Sequence, residues 1–221
     1  SDSEILLRLY QRQGLEATLP LLRGEFAFAL FDRAEDCLYL VRDRFGIKPQ
    51  YWAMTPEGLV FGSELKVLFA HPAVERRFTS EGLFHQLMQT MVPGTTAFAG
   101  VHQVKPGHVL KVQRVNGHLE VSESTYWDVD FPRKDKRDPN RTEADHIAAV
   151  RAALLEAVEL RMVADVPVGC YLSGGIDSCS ILGLASAVSQ APVKAFTIGF
   201  DDARYDESPI AREMAEATGA E

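Results

Sequence analysis

The sequence predicts two folded units of different class, an α+β unit of mostly antiparallel strands followed by an α/β unit with a parallel sheet. Residues 1–126 contain short apolar runs separated by turn residues, a pattern typical of antiparallel hairpins. Residues 142–221 alternate strand and helix patterns, which indicates parallel strands joined by right-handed crossovers. Residues 127–141 are dense in charge and proline, so we expect an exposed linker there.

A helix opens the first unit. Ser1 and Glu4 have the spacing of a capping box, and Gly14 is expected to end the helix. The apolar residues that recur at helical spacing are Ile5, Leu6, Leu9 and Tyr10.

Short strands and two further helices follow. Ser63 and Thr79 are expected to cap helices at residues 64–69 and 80–89. Asn116-Gly117 favours a tight turn within the last hairpin. The predicted strands are residues 24–31, 37–42, 50–53, 59–62, 109–115 and 119–124.

The second unit begins with a long helix that Thr142 and Asp145 are expected to cap. Its apolar positions follow the helical period and are Ile147, Val150, Leu154, Leu155, Val158 and Met162. A buried strand at residues 167–172, a helix at 177–189, a strand at 193–200 and a helix at 208–217 come next. Two strands do not complete a doubly wound domain, so we expect the second unit to be partial.

The net charge limits the classes of binding partner, and the cysteine content indicates the cellular compartment. The net charge of −8 argues against nucleic-acid or anionic-membrane binding, and no apolar run is long enough to span a membrane. Cys37, Cys170 and Cys179 are read as free thiols in the core, which is typical of a cytoplasmic protein. The six histidines are widely spaced, so no zinc site is assigned.

The strongest chemical signal is the string SGGIDS at residues 173–178, between a predicted strand and a predicted helix. Gly174 and Gly175 lack Cβ atoms, so their main-chain N–H groups can approach a ligand closely. The helix that follows directs its unpaired N–H groups and its positive dipole end at the loop, and Ser173 and Ser178 add hydroxyl donors. The pattern predicts a site for phosphates.

The string lacks the lysine of the common triphosphate-binding loop. Asp177 is a carboxylate in an anion site, which is consistent with a bridging Mg²⁺. The alternative interpretation is a plain glycine turn at the start of a helix.

Longer strings around this loop resemble one enzyme family. DVPVGCYLSGGIDS at residues 165–178, FTIGF at 196–200 and YDES at 205–208 resemble the synthetase domain of glutamine-hydrolysing asparagine synthetases. GEFAFA at 24–29, RDRFGIKP at 42–49 and FGSELK at 61–66 are similar to the glutaminase domain of that family, a class II amidotransferase of the N-terminal-nucleophile fold. The resemblance covers nearly the whole chain. It implies a partial glutaminase layer at 1–126 and the first part of an ATP-pyrophosphatase domain at 142–221.

The resemblance also implies substrates, cofactors and site residues. Glutamine, aspartate and ATP would be the substrates, with Mg²⁺ as cofactor, Asp177 as its ligand, and a homodimer as the assembly. Asp2 would bind the α-amino group of glutamine, although an ordinary helix cap is the alternative for this residue. The residues implied in ATP binding are Leu172, Ser173, Gly174, Gly175, Ile176, Asp177, Ser178 and Ile198.

The chain departs from the family pattern in one respect, and other charged residues are read as structural. The family nucleophile is a cysteine at the mature N-terminus, but this chain begins with Ser1, so it is expected to contain no catalytic residue.

The charged string 42–48 is expected to be structural, with Arg42 and Asp43 paired, and Asp206 and Glu207 are expected to cap a helix. Alternative functions are a related ligase with another acceptor, including a β-lactam-forming enzyme, and a non-catalytic binding module.

The 221-residue chain on its own is expected to hydrolyse no glutamine, because the nucleophilic cysteine of the family is absent from it. The measurement is glutamate release from glutamine, with a protein-free blank as control. Release above the blank that is abolished by alkylating the cysteines would contradict this prediction.

Overall fold

The computed structural model describes residues 1–90, 92–136, 138 and 140–221. These residues form two compact units, Ser1–Phe131 and Pro132–Glu221. Within the described residues, no helix is both long enough and apolar enough to cross a membrane.

The first unit is an α+β arrangement with two antiparallel sheets. One sheet has the strand order β1-β2-β6-β7 and the other has the order β4-β3-β5. Its elements are α1 (Asp2–Thr18), β1 (Ala27–Asp32), β2 (Cys37–Arg42), β3 (Tyr51–Thr55), β4 (Gly58–Gly62), α2 (Leu65–Leu68), α3 (Ser80–Leu87), β5 (Val101–Gln103), β6 (His108–Val115) and β7 (His118–Thr125).

Several local predictions for the first unit are confirmed. Thr79 caps α3 by accepting a hydrogen bond from the N–H of Gly82 at 3.0 Å. Asn116 and Gly117 both have positive φ, 52° and 84°, as the tight turn between β6 and β7 requires.

Other local predictions are wrong. The helix α1 does not end at Gly14, since the chain kinks there at φ 77° and continues to Thr18. The side chain of Ser1 makes no capping bond, and Ser63 is not a cap, because the N-cap of α2 is Glu64. The strand β5 was not predicted, because three residues carry too little periodicity to be recognised.

Apolar side chains between the sheets form the core of the first unit. Leu40 lies opposite Leu110 across β2 and β6, and both are at most 2% exposed. They pack with Val104 and Val112. Full burial of each such side chain stabilises the fold by about 1.5–3 kcal/mol.

The charged string that begins at Arg42 is structural, as expected, but the backbone is its main partner. The Arg42 guanidinium donates to the carbonyls of Gly46, Lys48 and Val104. Burial lowers the pKa of Arg42, and the nearby Asp43 charge opposes that shift. The carboxylate of Asp43, which is 1% exposed, accepts main-chain N–H bonds from Phe26, Phe45, Ile47 and Lys48 at 2.9–3.3 Å.

The second unit contains a strand–helix–strand arrangement with a parallel pair. Strands β8 (Gly169–Tyr171) and β9 (Lys194–Phe196) pair in parallel, with Gly169 opposite Lys194. Its helices are α4 (Glu143–Arg161), α5 (Ile176–Val188) and α6 (Ser208–Thr218). The capping box of Thr142 and Asp145 is present.

The core of this unit is small, and the predicted burial is only partly found. Val158, Leu172, Leu182, Ala185, Val193 and Ala211 are its buried residues. On α4, Ile147 and Val150 are 62% and 59% exposed, so the predicted apolar face is buried mainly near Val158. Tyr171 of β8 is 86% exposed, so this strand is not the buried strand that the sequence predicted. A sheet of two short strands offers too little surface to cover these side chains.

Gly107 and Gly100 offer a matched test of the first unit, since both have positive φ, +66° and +68°. A Cβ at Gly107 would lie 2.3 Å from the Trp127 carbonyl oxygen, whereas one at Gly100 would meet nothing within 4 Å. We expect Gly100→Ala to lower the free energy of unfolding by about 1–2 kcal/mol, the cost of a left-handed conformation. Gly107→Ala should lower it by a further 1–3 kcal/mol or so, because its methyl group has no space.

The measurement is urea denaturation followed by tryptophan fluorescence. Both tryptophans, Trp52 and Trp127, lie in the first unit, so the signal reports that unit alone. Equal losses for the two variants would show that contact with Trp127 does not constrain Gly107.

Candidate functional site

The SGGIDS loop joins the carboxyl end of β8 to the first turn of α5. Leu172, which is 3% exposed, donates its N–H to the carbonyl of Phe196 at 2.8 Å. The hydroxyl of Thr197 donates to the carbonyl of Leu172 at 2.8 Å. These two bonds tie together the ends of the parallel strands, at the edge where open α/β sheets place their ligands.

Ser173 and Ser178 close the loop on itself. Their hydroxyl oxygens lie 2.9 Å apart, and the Ser178 hydroxyl also accepts the main-chain N–H of Ser173 at 3.1 Å. The N–H of Gly175 points to the Ser173 hydroxyl at 3.3 Å. The two serines therefore hold the curvature of the loop through their side chains.

The two glycines are needed for space rather than for unusual backbone angles. Neither has a positive φ, and Gly175 is the N-cap of α5 at φ −77° and ψ 151°. A Cβ at Gly174 would lie 3.2 Å from Cβ of Ile210 and 3.3 Å from Cβ of Glu207, both on or beside α6. A Cβ at Gly175 would meet only the Ser173 hydroxyl, at 3.3 Å. Thus Gly174 permits helix packing, while Gly175 leaves the loop surface accessible.

The first turn of α5 faces the open side of the loop. The N–H groups of Ile176, Asp177 and Ser178 precede the first intrahelical bond, in which Cys179 donates to Gly175 at 3.1 Å. Asp177 and Ile176 are exposed. These amides and the helix dipole provide the positive potential that an anion requires.

A cavity of about 300 Å³ adjoins the loop at the carboxyl ends of β8 and β9. Leu172 and Ile198, the two residues implied in adenosine binding, both line it. Its aromatic lining residues are Tyr171, Phe196, Phe200 and Tyr205. Sequence reasoning missed this aromatic lining, because it comes from two strands and a loop that only the fold brings together.

The role expected for Asp206 is confirmed, whereas that of Glu207 differs. Asp206 accepts the N–H and hydroxyl of Ser208 at the start of α6, and the hydroxyl bond holds its pKa below the usual range. The side chain of Glu207 makes no capping bond and instead accepts the N–H of Gly174 at 3.1 Å. A carboxylate therefore contacts the loop amide that a phosphate would approach.

The metal-binding potential of the loop is limited. Among the described residues, no group of three or more His, Cys, Asp or Glu side chains could hold a metal ion. Asp177 could supply one or two carboxylate oxygens, and the remaining ligands of a cation would have to come from elsewhere. Mg²⁺ commonly binds in this way, through substrate phosphates and only one or two protein carboxylates.

Asp2 and the three cysteines are outside the SGGIDS string, although the Cys179 thiol contacts the Ser173 carbonyl at 3.7 Å. Asp2 is exposed in the first turn of α1, where Ser1 is the N-cap, so Asp2 is not the helix cap. Cys37 is buried in the first unit, and Cys170 and Cys179 are half-buried against the core of the second. Burial raises the pKa of the Cys170 thiol, which disfavours the reactive thiolate.

Comparison with known proteins identifies relatives of both units. A family model described as "Glutamine amidotransferase domain" matches residues 1–127. Another, described as "Asparagine synthase", matches residues 149–221. A structure described as an allosteric regulatory enzyme of purine biosynthesis aligns with a TM-score of 0.38 at 14% identity, too low to bear on the fold.

Individual relatives align along almost the entire chain. Amidase chyE of Penicillium rubens is 38% identical over all of this chain and 34% of its own length. Asparagine synthetase (glutamine-hydrolyzing) 1 of Bacillus subtilis is 36% identical over all of this chain and 33% of its own length. Asparagine synthetase (glutamine-hydrolyzing) 3 of that organism is 32% identical over 99% of this chain and 37% of its own length.

The chain thus spans about a third of the length of these curated relatives. The amidotransferase match alone covers more than half of the chain, and the synthase match follows it in the family order. The chain belongs to the glutamine-hydrolysing asparagine synthetase family.

Proposed function

We propose that this chain is part of a glutamine-dependent carbon–nitrogen ligase and that its SGGIDS loop binds the pyrophosphate part of ATP. The observation that carries the proposal is the loop between β8 and α5, with the open surface at Gly175 and the adjoining cavity. The amides of Ile176, Asp177 and Ser178 would bind phosphate oxygens. Leu172 and Ile198 would contact the adenosine, and the aromatic residues of the cavity suit a purine ring.

The proposed reaction activates a carboxylic acid as its adenylate. The acceptor carboxylate attacks the α-phosphorus of ATP, the bond to the bridging oxygen breaks, and pyrophosphate leaves. Ammonia then attacks the acyl carbon, and AMP leaves. Main-chain donors held by Ser173 and Ser178 would stabilise the charge that develops on the departing pyrophosphate, and they need no rearrangement to do so.

Mg²⁺ fits the proposed site as a partner of the phosphates. The loop lacks a lysine, and Asp177 is exposed on its first helical turn. When bound, Mg²⁺ would neutralise phosphate charge, and Asp177 would hold it. The described residues offer too few side-chain ligands to bind the ion without a nucleotide, which favours binding as the magnesium complex of ATP.

We further propose aspartate as the acceptor, glutamine as the nitrogen source, and a cytoplasmic homodimer as the working form. The asparagine synthetases among the relatives support aspartate. The three free cysteines are consistent with a reducing compartment. A ligase with another acceptor is the second candidate, because two relatives at 38% identity are named amidases.

ATP should be cleaved between the α and β phosphorus atoms, giving AMP and pyrophosphate. In the full-length protein, Gly175→Val should reduce this activity at least about 100-fold, because a branched side chain would cover the amides that approach the phosphates. Asp177→Ala should act in the same direction by removing the proposed metal ligand. The measurement is nucleotide analysis with aspartate and ammonia present.

The control is Gly183→Ala in the middle of α5, where a Cβ would make an ordinary contact of 3.5 Å with Met214. It should retain near-normal activity. ADP as the main product would refute the assignment of the loop. Pyrophosphate release that requires a different carboxylic acid would favour the second candidate function.

Asp2→Asn should weaken glutamine use about tenfold or more and leave ammonia-dependent synthesis near normal. The reason is that an amide cannot neutralise the α-amino group of glutamine, and a charge-assisted bond is worth roughly twice a neutral one. The measurement compares KM for glutamine and for ammonia in the full-length protein. Glu120→Gln, an exposed change on β7, is the matched control. Equal loss with both nitrogen donors would instead assign Asp2 a structural role.

A further inference from the structure

In the described part of the chain, Glu207 is the one acidic residue whose side chain accepts a hydrogen bond from an amide of the SGGIDS loop. It precedes α6, yet its Oε2 reaches across 33 residues of sequence to the N–H of Gly174 at 3.1 Å. The residue is exposed and also lines the cavity beside the loop. Glu207 therefore contacts both the cavity and one main-chain amide of the loop.

Packing holds Glu207 at this position. The absence of a side chain at Gly174 lets α6 approach until Cβ of Glu207 is within 3.3 Å of where a Gly174 Cβ would be. The first turn of α6 makes the same close approach through Ile210, at 3.2 Å. Asp206 fixes the start of α6 through Ser208. The fold thus positions the Cβ of Glu207, and the hydrogen bond to Gly174 holds the carboxylate.

This position has an electrostatic consequence for any anion that binds the loop. A phosphate oxygen on the Gly174 amide would have to displace the carboxylate and would then lie beside its negative charge. Asp177 supplies a second, exposed carboxylate in the first turn of α5. Like charges repel, and a divalent cation bound between them offsets the repulsion.

We propose that Glu207 is a specificity-determining residue that discriminates against metal-free anions and favours nucleotide carried as its magnesium complex. The inference rests on the proposed function, since it concerns the same loop. Free ATP, pyrophosphate and inorganic phosphate would be excluded by the carboxylate. Magnesium-bound ATP would be admitted because its charge is already compensated.

Glu207→Gln tests the inference with little risk to the fold, because the glutamine amide oxygen can still accept the Gly174 N–H. ATP binding to the full-length protein is measured by calorimetry, once in EDTA and once with excess magnesium. We expect the variant to bind metal-free ATP about tenfold more tightly than the wild type, and magnesium–ATP with less than about threefold change. Glu213→Gln, which removes the same charge elsewhere on α6, is the control and should change either affinity less than about twofold.

Two results would overturn the inference while leaving the proposed function intact. Unchanged affinity for metal-free ATP would show that Glu207 only braces the loop. A loss of about tenfold or more in magnesium–ATP affinity would show that Glu207 binds the cation. If the wild type and the variant both fail to bind ATP with or without magnesium, the loop is not a nucleotide site and the proposed function fails as well.

Discussion

The close approach of Gly174 to α6 is the constraint on which the second unit depends. It lets α6 pack beside the loop, and Ala211 of that helix joins Leu182 of α5 in the core. It also places Glu207 on the loop amide. A Cβ at this position would lie 3.2–3.3 Å from Ile210 and Glu207, so these neighbours would have to shift by a few tenths of an ångström. The packing of α6 and the contact of Glu207 with the loop therefore share one constraint.

The proposed phosphate site in the loop would be built without basic residues. The serine pair fixes the curvature, and the helix supplies oriented amides. Such amides are fixed partial charges that need no reorganisation when an anion arrives. Because the amides carry no full charge, the proposal gives the nearby carboxylates Asp177 and Glu207 a large influence on which anions the loop would accept.

Local sequence signals predicted a good part of the fold. The bounds of β2 were predicted as found, and the caps of α3 and α4 were identified, because each depends on a few adjacent residues. The three-residue strand β5 and the continuation of α1 beyond Gly14 were missed, since tertiary packing decides both.

The same difference between local signals and long-range contacts explains which parts of the candidate site were predicted from the sequence. The SGGIDS string identified the loop, because a strand–loop–helix junction is local in sequence. The contact between Glu207 and Gly174 joins residues 33 positions apart, and the Asp-Glu pair before α6 resembled an ordinary cap. The missing Cβ atoms of the glycine pair were expected to serve a ligand, but the three-dimensional contacts show that at Gly174 the space is taken by the packing of α6.

The carboxylates of Asp43 and Glu207 both accept hydrogen bonds from main-chain amides, but they differ in solvent exposure. Asp43 is 1% exposed and accepts hydrogen bonds from four part-buried amides of the first unit, so its removal would take one shared partner from all four. Glu207 is exposed and accepts one amide that water or an anion could also satisfy. The Asp43 contacts are therefore a fixed part of the fold. At the Gly174 amide, water or an anion could replace Glu207 at a modest cost in free energy. The difference in burial thus separates the structural role of Asp43 from the binding role proposed for Glu207.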